Sequence, residues 1–96
     1  MKVHWTAEAR AELTAIETYL AEHSQPAARR TIRRITARAG QIGALPYSGR
    51  MLPEFGRDDL HEVLVRPYRI IYRILPARID IVTVWHCRRL LPHHIA

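Results

Sequence analysis

The sequence predicts a single α+β domain, residues 1–96, in which a helix hairpin packs on a small, mainly antiparallel four-stranded sheet in the order β-α-α-β-β-β. Three observations predict it. The length of 96 residues and the hydrophobic fraction of 48% are those of one globular domain. Two consecutive segments show helical periodicity. Three β-rich segments follow, and the short turns between them join antiparallel neighbours.

The amino-terminal half contains the first strand and the helix hairpin. Polar and apolar residues alternate over Lys2–Trp5, which predicts a strand. Thr6 is a suitable N-cap for the first helix, whose pattern fades at His23, and Ser24 or Gln25 caps the second. Each helix has one apolar stripe at steps of three and four residues: Ala9, Leu13, Ile16 and Leu20 in the first, and Ala28, Ile32, Ile35, Ala39 and Ile42 in the second.

The carboxy-terminal half contains a loop and three strands. Residues 46–59 include two prolines, two glycines and two aspartates, which is the composition of a loop. Residues 61–65, 68–75 and 79–86 are rich in β-branched and aromatic residues and are predicted strands. In the middle strand, Arg69 and Arg73 share one face, whereas Tyr68, Ile70 and Tyr72 share the other.

Composition and patterning exclude several classes of protein. No apolar run approaches the roughly 18 residues that span a membrane. The first residues lack the apolar stretch of a signal peptide, so we expect no association with a membrane. The single cysteine, Cys87, excludes an internal disulfide and fits a reducing compartment. We therefore expect a cytoplasmic protein.

The positive charge is concentrated in one segment. The formal net charge is +6, and residues 25–50 carry six arginines and no acid. The second helix holds five of these arginines: a row of Arg30, Arg34 and Arg38, with Arg29 and Arg33 beside it. The row is either a solvated face or a docking surface for an acidic partner or a nucleic acid. In the first case it is partly paired with glutamates of the first helix, namely Glu12, Glu17 and Glu22.

Arginines on and after the strands form a second candidate site. Arg69 lies in the predicted central strand, and Arg88 and Arg89 follow the last strand. Two interpretations remain open. The side chains either form a basic concavity that binds a phosphate, or Arg69 pairs with Glu62 of the adjacent strand.

The histidines give little support for a metal site. No pair has the spacing of metal ligands, and the adjacent His93 and His94 lack a third ligand. The sequence contains neither a glycine-rich phosphate loop nor a nucleophile elbow, so we expect no metal and no cofactor. His86, at a strand end, is either a general acid or base or a packed, hydrogen-bonded side chain.

An ordered set of short motifs extends over nearly the whole chain. From the amino terminus they are Val3-x-Trp5-Thr6-x-x-Ala9, Leu13-x-x-Ile16-x-x-Tyr19-Leu20, Pro26-x-Ala28, Leu45-Pro46-x-Ser48-Gly49-Arg50, His61-Glu62-Val63-Leu64-Val65, Pro67-Tyr68-Arg69-Ile70-Ile71-Tyr72-Arg73-Ile74 and Val84-Trp85-His86-x-x-Arg89. In this order and spacing they resemble the RelE/ParE toxin superfamily of type II toxin–antitoxin modules. The resemblance implies a helix hairpin on a small antiparallel sheet, in agreement with the elements predicted above.

The superfamily contains two activities, and the resemblance favours the ParE-like branch, which inhibits DNA gyrase. The RelE-like branch cleaves messenger RNA on the ribosome with basic residues on the sheet. Two of its lysines correspond to Glu62 and Leu64, a change that removes two cations and adds an anion. Some ribosome-dependent members instead use a glutamate and a histidine, which Glu62 and His86 would match. If the chain is a nuclease, its candidate residues are Arg69, His86, Arg88 and Arg89.

The resemblance therefore implies a toxin that arrests growth, of the kind linked to plasmid stabilisation, and a hetero-oligomer with a cognate antitoxin. The antitoxin is expected to supply an acidic, partly disordered segment that folds on the toxin. The antitoxin-binding candidates are Arg30, Arg34 and Arg38. The target is gyrase or, alternatively, the ribosome, unless the chain is a degenerate toxin that binds only its antitoxin. The target-binding candidates are Arg50, Arg69, Arg73, Arg88 and Arg89, and no residue is firmly assigned as catalytic.

Overall fold

Two helices cover one face of a five-stranded sheet in the computed structural model, which describes residues 1–95. The elements in chain order are β1 Lys2–Trp5, α1 Ala7–Ala21, α2 Gln25–Ile42, β2 Arg50–Met51, β3 Leu60–Val65, β4 Tyr68–Ile74 and β5 Arg78–His86. The strand order is β1-β5-β4-β3-β2, with β1 parallel to β5 and every other pair antiparallel. The predicted α+β class, the helix hairpin and the four longer strands are confirmed.

The predicted loop contains a fifth strand. Arg50 and Met51 form β2 and pair with Glu62 and His61 of β3. The chain approaches β3 so closely at Gly49 that a Cβ atom there would overlap the backbone oxygen of Glu62. A strand of two residues has no detectable period, and the prolines and glycines around it dominate the composition. The predicted number of four strands was therefore wrong by one.

Each helix begins at a side-chain cap. The Thr6 hydroxyl accepts a hydrogen bond from the Ala9 amide at 3.1 Å, and the Ser24 hydroxyl accepts one from Ala27 at 3.2 Å. Such caps satisfy amides that have no partner inside the helix, and each contributes about 1 kcal/mol to stability. Within residues 1–95, neither helix is long and apolar enough to cross a membrane.

The sheet separates two apolar clusters of unequal size. On the helix side, the stripes of α1 and α2 pack against the larger cluster, which includes Ile35, Ile42, Ile70, Tyr72 and Ile81. The smaller cluster on the opposite side contains Leu52, Leu60, Ile71 and Val82, bordered by Phe55, Trp85 and Leu91. That second face is only partly covered, and polar side chains occupy the rest of it.

Candidate functional site

Arg69 of β4 lies at the centre of an ion-pair network on the sheet face opposite the helices. Its Nε donates to Glu62 of β3, and its two terminal nitrogens donate to both carboxylate oxygens of Glu54, at 2.9 and 3.0 Å. Glu62 is completely buried and also accepts a hydrogen bond from Nε of Arg50. Two guanidinium groups and two carboxylates therefore alternate, and the network has no net charge.

Pairing fixes the charge states of this network. The hydrogen bonds from Arg69 hold the pKa of Glu54 below its ordinary value of 4.5. The hydrogen bonds that Arg69 donates to Glu54, and secondarily the one that it donates to Glu62, raise the pKa of Arg69. The Arg69 side chain is only 9% exposed. Of the two interpretations that the sequence left open, the structure contains the pairing of Arg69 with Glu62. A role of Arg69 in target binding stays a prediction.

Tyr72 and Gly49 set the position of Arg50. The Tyr72 hydroxyl donates to the Pro46 carbonyl at 2.6 Å and accepts from the Gly49 amide at 3.1 Å. Burial raises the pKa of Tyr72, so the proton that makes the first of these bonds is retained. The Arg50 side chain is 64% exposed although its Nε contacts Glu62. Of the network's two arginines, Arg50 is thus the more accessible to a partner.

His86 and Arg69 lie on opposite faces of the sheet. In the β4–β5 register Tyr68 pairs with His86 and Arg69 with Trp85, and successive side chains of a strand alternate between faces. The His86 ring contacts Tyr68 edge-on, on the side of α1, at a centroid distance of 5.6 Å. Its Nδ1 accepts a hydrogen bond from the Arg88 amide at 3.1 Å. The structure therefore does not bring His86 together with Arg69.

Glu62 is separated from His86 in the same way. Its carboxylate lies in the network with Arg69, on the face away from the helices. The glutamate–histidine pair that the resemblance left open for a nuclease is thus not assembled by Glu62 and His86. The backbone amide of Arg88 donates a hydrogen bond to His86. The geometry of His86 is therefore that of a packed, hydrogen-bonded side chain, which is one of the two roles that the sequence left open.

The remaining target-binding candidates differ in accessibility. Arg89 places its guanidinium 4.0 Å from the centroid of the Trp85 ring, and its carbonyl accepts a hydrogen bond from the Trp85 indole nitrogen at 3.2 Å. Arg88 and Arg89 are exposed, and neither forms an ion pair within residues 1–95. Arg73 is half-exposed and lies 3.6 Å from a carboxylate oxygen of Asp59.

A groove between α1 and the β4–β5 hairpin is a feature that the sequence did not indicate. Its volume is about 550 Å³, and its lining includes Ile16, Tyr19, Tyr68, His86 and Arg89. Tyr19 is 63% exposed, whereas Tyr68 on the facing hairpin is only 7% exposed. In the sequence, the one signal for this groove was that Tyr19 lies outside the apolar stripe of α1. That signal can be interpreted only when the β4–β5 hairpin is known to lie beside α1.

The arginines of α2 have no carboxylate partners. Arg29, Arg30, Arg33 and Arg34 are exposed and Arg38 is half-exposed. None of the five forms an ion pair within the part of the chain that the structure describes. Arg34 donates instead to the Arg66 carbonyl at 3.5 Å. The partial pairing with the α1 glutamates, one alternative considered from the sequence, is therefore not formed.

His61 of β3 is a buried histidine with no hydrogen bond to one ring nitrogen. It packs between the rings of Tyr47 and Tyr72, at centroid distances of 5.4 and 5.9 Å, and its Nδ1 has no partner within residues 1–95. Desolvation lowers its pKa below 6.5. Across the described residues, no group of three or more histidine, cysteine, aspartate or glutamate side chains is arranged to hold a metal ion.

Comparisons with known proteins agree with this architecture. Residues 3–91 match the family described as the ParE toxin of the type II toxin–antitoxin system parDE. Toxin RelE2 of Caulobacter vibrioides is 35% identical over 89 residues, which are 93% of this chain and 98% of that protein. A solved structure described as the chromosomal ParDE TA system from P. aeruginosa has the same fold. Its TM-score is 0.76 at 21% identity, over 90% of this chain and 95% of that one.

The fold and these matches define a toxin of the RelE/ParE superfamily. Within that superfamily, the chain belongs to the ParE toxin family. It is therefore a toxin of a type II toxin–antitoxin module, and membership of such a module implies a cognate antitoxin.

Proposed function

We propose that this toxin arrests growth by inhibiting DNA gyrase through binding, without catalysis of its own. The observation that carries the proposal is the separation of the nuclease candidates. Arg69 is paired with two carboxylates on one sheet face, whereas His86 lies on the other. A phosphodiester cleavage site needs its acid, base and cations around one reacting phosphate.

The neighbours of Arg69 also favour binding over cleavage. Glu62 and Leu64 lie on the same sheet face as Arg69, at the positions where RelE-like toxins carry lysine. The buried Glu62 carboxylate would repel a phosphate, and Leu64 offers no cation. The two guanidinium groups nearest to this position already bind carboxylates of the same chain.

The target surface is proposed to centre on the end of β5. Arg88 and Arg89 are exposed and unpaired within residues 1–95, and Arg50 is accessible on the edge strand. Arg69 and Arg73 would act indirectly, because carboxylates of the same chain hold their side chains.

The antitoxin is proposed to fold onto the groove between α1 and the β4–β5 hairpin. Apolar side chains such as Tyr19 and Tyr68 line this groove and can anchor a segment that becomes ordered on binding. Arg30, Arg34 and Arg38 would attract the acidic segment and raise its association rate, with little effect on its dissociation rate. The resulting hetero-oligomer is expected in the cytoplasm.

The experiment that tests this proposal compares gyrase and the ribosome directly. The chain is expressed under an inducible promoter, and plasmid supercoiling and protein synthesis are followed with time. Purified toxin is then added to gyrase in a supercoiling assay and to programmed ribosomes. We expect supercoiling to fail first and gyrase to be inhibited. Specific cleavage of the message in the ribosomal A site would overturn the proposal, as would the absence of any growth arrest.

A matched pair of variants tests the target surface. Arg88→Ala with Arg89→Ala removes two exposed cations at the end of β5, and Arg10→Ala with Arg78→Ala removes two exposed cations elsewhere. We expect the first double variant to lose toxicity and the second to retain it. Equal toxicity of the two folded variants would remove the end of β5 from the target surface.

A further inference from the structure

The exposed side of α2 carries five arginines that form no ion pair within residues 1–95. We call the five side chains Arg29, Arg30, Arg33, Arg34 and Arg38 the arginine face. None of them contacts a carboxylate within residues 1–95. Like charges at helical spacing repel one another and destabilise the helix. An external polyanion would remove that repulsion, so the charge pattern is complementary to a polyanion.

The composition of the arginine face distinguishes between polyanions. A protein partner needs buried apolar or aromatic anchors at the centre of its contact. The large hydrophobic side chains that are exposed within residues 1–95 all lie outside α2: Met1, Tyr19, Leu45, Tyr47, Met51, Leu64 and Leu90. A nucleic-acid backbone, in contrast, is bound through phosphate contacts alone, and arginine grips a phosphate with two parallel hydrogen bonds. The arginine face therefore fits phosphates better than an acidic peptide.

The geometry of α2 favours a duplex over a single strand. Proteins that bind single strands stack bases on exposed aromatic rings, and α2 contains no aromatic residue. At about 100° per residue, the five arginines occupy about half of the helix circumference, and they extend for about 14 Å along its axis. A helix with cations on both flanks can place them on the two walls of the B-DNA major groove, whereas the major groove of duplex RNA is too narrow.

Small residues lie between the two flanks. Ala37 and Gly40 are exposed on this side of α2, and apart from the adjacent residues and the neighbouring backbone of α2 itself, no atom of the described residues lies within 4 Å of the position that a Cβ atom of Gly40 would occupy. A glycine inside a helix is unfavourable, and packing within this chain does not require one here. Its effect on this surface is to leave room for another backbone.

From these observations we propose that the arginine face of α2 binds the phosphate backbone of duplex DNA. We expect the contact to be independent of sequence, because arginines that bind phosphates position the protein on the duplex without reading its bases. The inference does not depend on the identity of the toxin's target. It assigns to α2 a second ligand, beside the acidic antitoxin segment that Arg30, Arg34 and Arg38 are proposed to attract.

The test measures binding of the full chain to a labelled 20-base-pair DNA duplex by fluorescence anisotropy at several salt concentrations. Each phosphate contact contributes about −0.9 to the slope of log K against log salt concentration. Five contacts predict a slope of about −4.5, or a loss of roughly 500-fold in affinity for a fourfold rise in salt. Removal of two contacts should reduce the magnitude of the slope by about 1.8.

Three double variants locate the contact. Arg30→Gln with Arg34→Gln and Arg29→Gln with Arg33→Gln each remove two charges from the arginine face. Lys2→Gln with Arg10→Gln removes the same charge from exposed positions on β1 and α1. We expect both α2 variants to reduce the magnitude of the slope, and we expect the control to leave the slope unchanged. All of these side chains are exposed, and a thermal melt checks that each variant is folded.

Three results would overturn the proposal. Equal slopes for the control and the α2 variants would mean that overall charge, not this surface, attracts DNA. Tighter binding to a single strand or to duplex RNA of the same sequence would contradict the duplex DNA assignment. Saturable binding of a polyglutamate peptide at α2, with no binding of the duplex, would assign the arginine face to an acidic protein.

Discussion

The arginines of the sheet and those of α2 have opposite surroundings. On the sheet side, Arg50 and Arg69 bind Glu62, Arg69 also binds Glu54, and Arg73 lies beside Asp59. On α2, the five guanidinium groups of the arginine face have no carboxylate within residues 1–95. The same residue type thus has two uses. The sheet arginines neutralise carboxylates of the same chain, including the buried Glu62. The α2 arginines instead contribute positive charge that is not neutralised at the surface.

Burial explains why the two sets differ. A carboxylate without a partner in the protein interior costs several kcal/mol, so the buried Glu62 requires the arginines around it. No buried carboxylate faces the exposed side of α2, and solvent and salt screen the charges there. Substitutions in the sheet network are therefore expected to change folding, and substitutions on α2 are expected to change binding.

The largest effect is expected from Glu62→Ala. This change leaves Arg69 nearly buried with only Glu54 as a partner, and removal of one member of a buried pair costs about 3 kcal/mol. Urea denaturation measures the loss in the free energy of unfolding. Glu54→Ala is the control, because that carboxylate is 42% exposed and exposed pairs contribute only about 0–1 kcal/mol. If Glu62→Ala costs no more than Glu54→Ala, the network does not stabilise the sheet.

Replacement of two glycines by alanine, Gly49 beside the sheet network and Gly40 on α2, should change the stability of the protein in opposite directions. Gly49 touches β3, where a Cβ atom would overlap the Glu62 carbonyl and the Tyr72 hydroxyl, so Gly49→Ala should destabilise the protein by about 2 kcal/mol. Gly40→Ala adds a methyl group in open space on α2 and should stabilise it by about 0.5 kcal/mol. Thermal unfolding monitored by circular dichroism gives both values. If Gly40→Ala destabilises the protein, the space around residue 40 is more crowded than the structure indicates.

Regular periodicity accounts for the parts of the fold that the sequence predicted. The stripes of α1 and α2 and the β-rich segments of β3, β4 and β5 follow periods of 3.6 and 2, and these elements are confirmed. The strand β2 was missed because Arg50 and Met51 pair only through their contact with β3. Such a pairing depends on tertiary structure, which a local sequence pattern does not reveal.

The candidate site was less predictable than the fold. Alternation placed Arg69 on one face of β4, and its pairing with Glu62 of the adjacent strand was one of the two interpretations that the sequence left open. The second partner, Glu54, comes from a loop whose path no periodicity describes. The separation of His86 from Arg69 depends on the β4–β5 register, because a shift of one residue would move His86 to the other face.

Reversal of the charge on α2 should change kinetics more than stability. We expect Arg30→Glu, Arg34→Glu and Arg38→Glu together to lower the rate of antitoxin association about tenfold at low salt and to weaken its salt dependence. The dissociation rate should change little, because the anchors in the groove are intact. Stopped-flow mixing with the purified antitoxin measures both rates. If neither the affinity nor its salt dependence changes, the α2 arginines are only a solvated face with respect to the antitoxin.

The smallest effect expected is a pH dependence that originates in the sheet. Desolvation lowers the pKa of His61 in the folded protein, and the carboxylates of Asp59 and Asp58 offset this only in part. The unfolded chain therefore binds a proton at His61 more readily than the folded one. The contribution of His61 to stability is complete above pH 6.5 and decreases as the pH falls through the pKa of the folded state. Its ring contacts the rings of Tyr47 and Tyr72, so phenylalanine is the substitution that keeps an aromatic ring there and removes the titratable group. His61→Phe should remove this part of the pH dependence, which urea denaturation between pH 7.5 and about 5 measures.

That pH window lies above the range in which Glu54 loses its charge. His23→Gln, a change at an exposed histidine between α1 and α2, is the control for the loss of one imidazole. If His61→Phe and the wild type have the same slope in this window, the buried histidine does not couple protonation to folding.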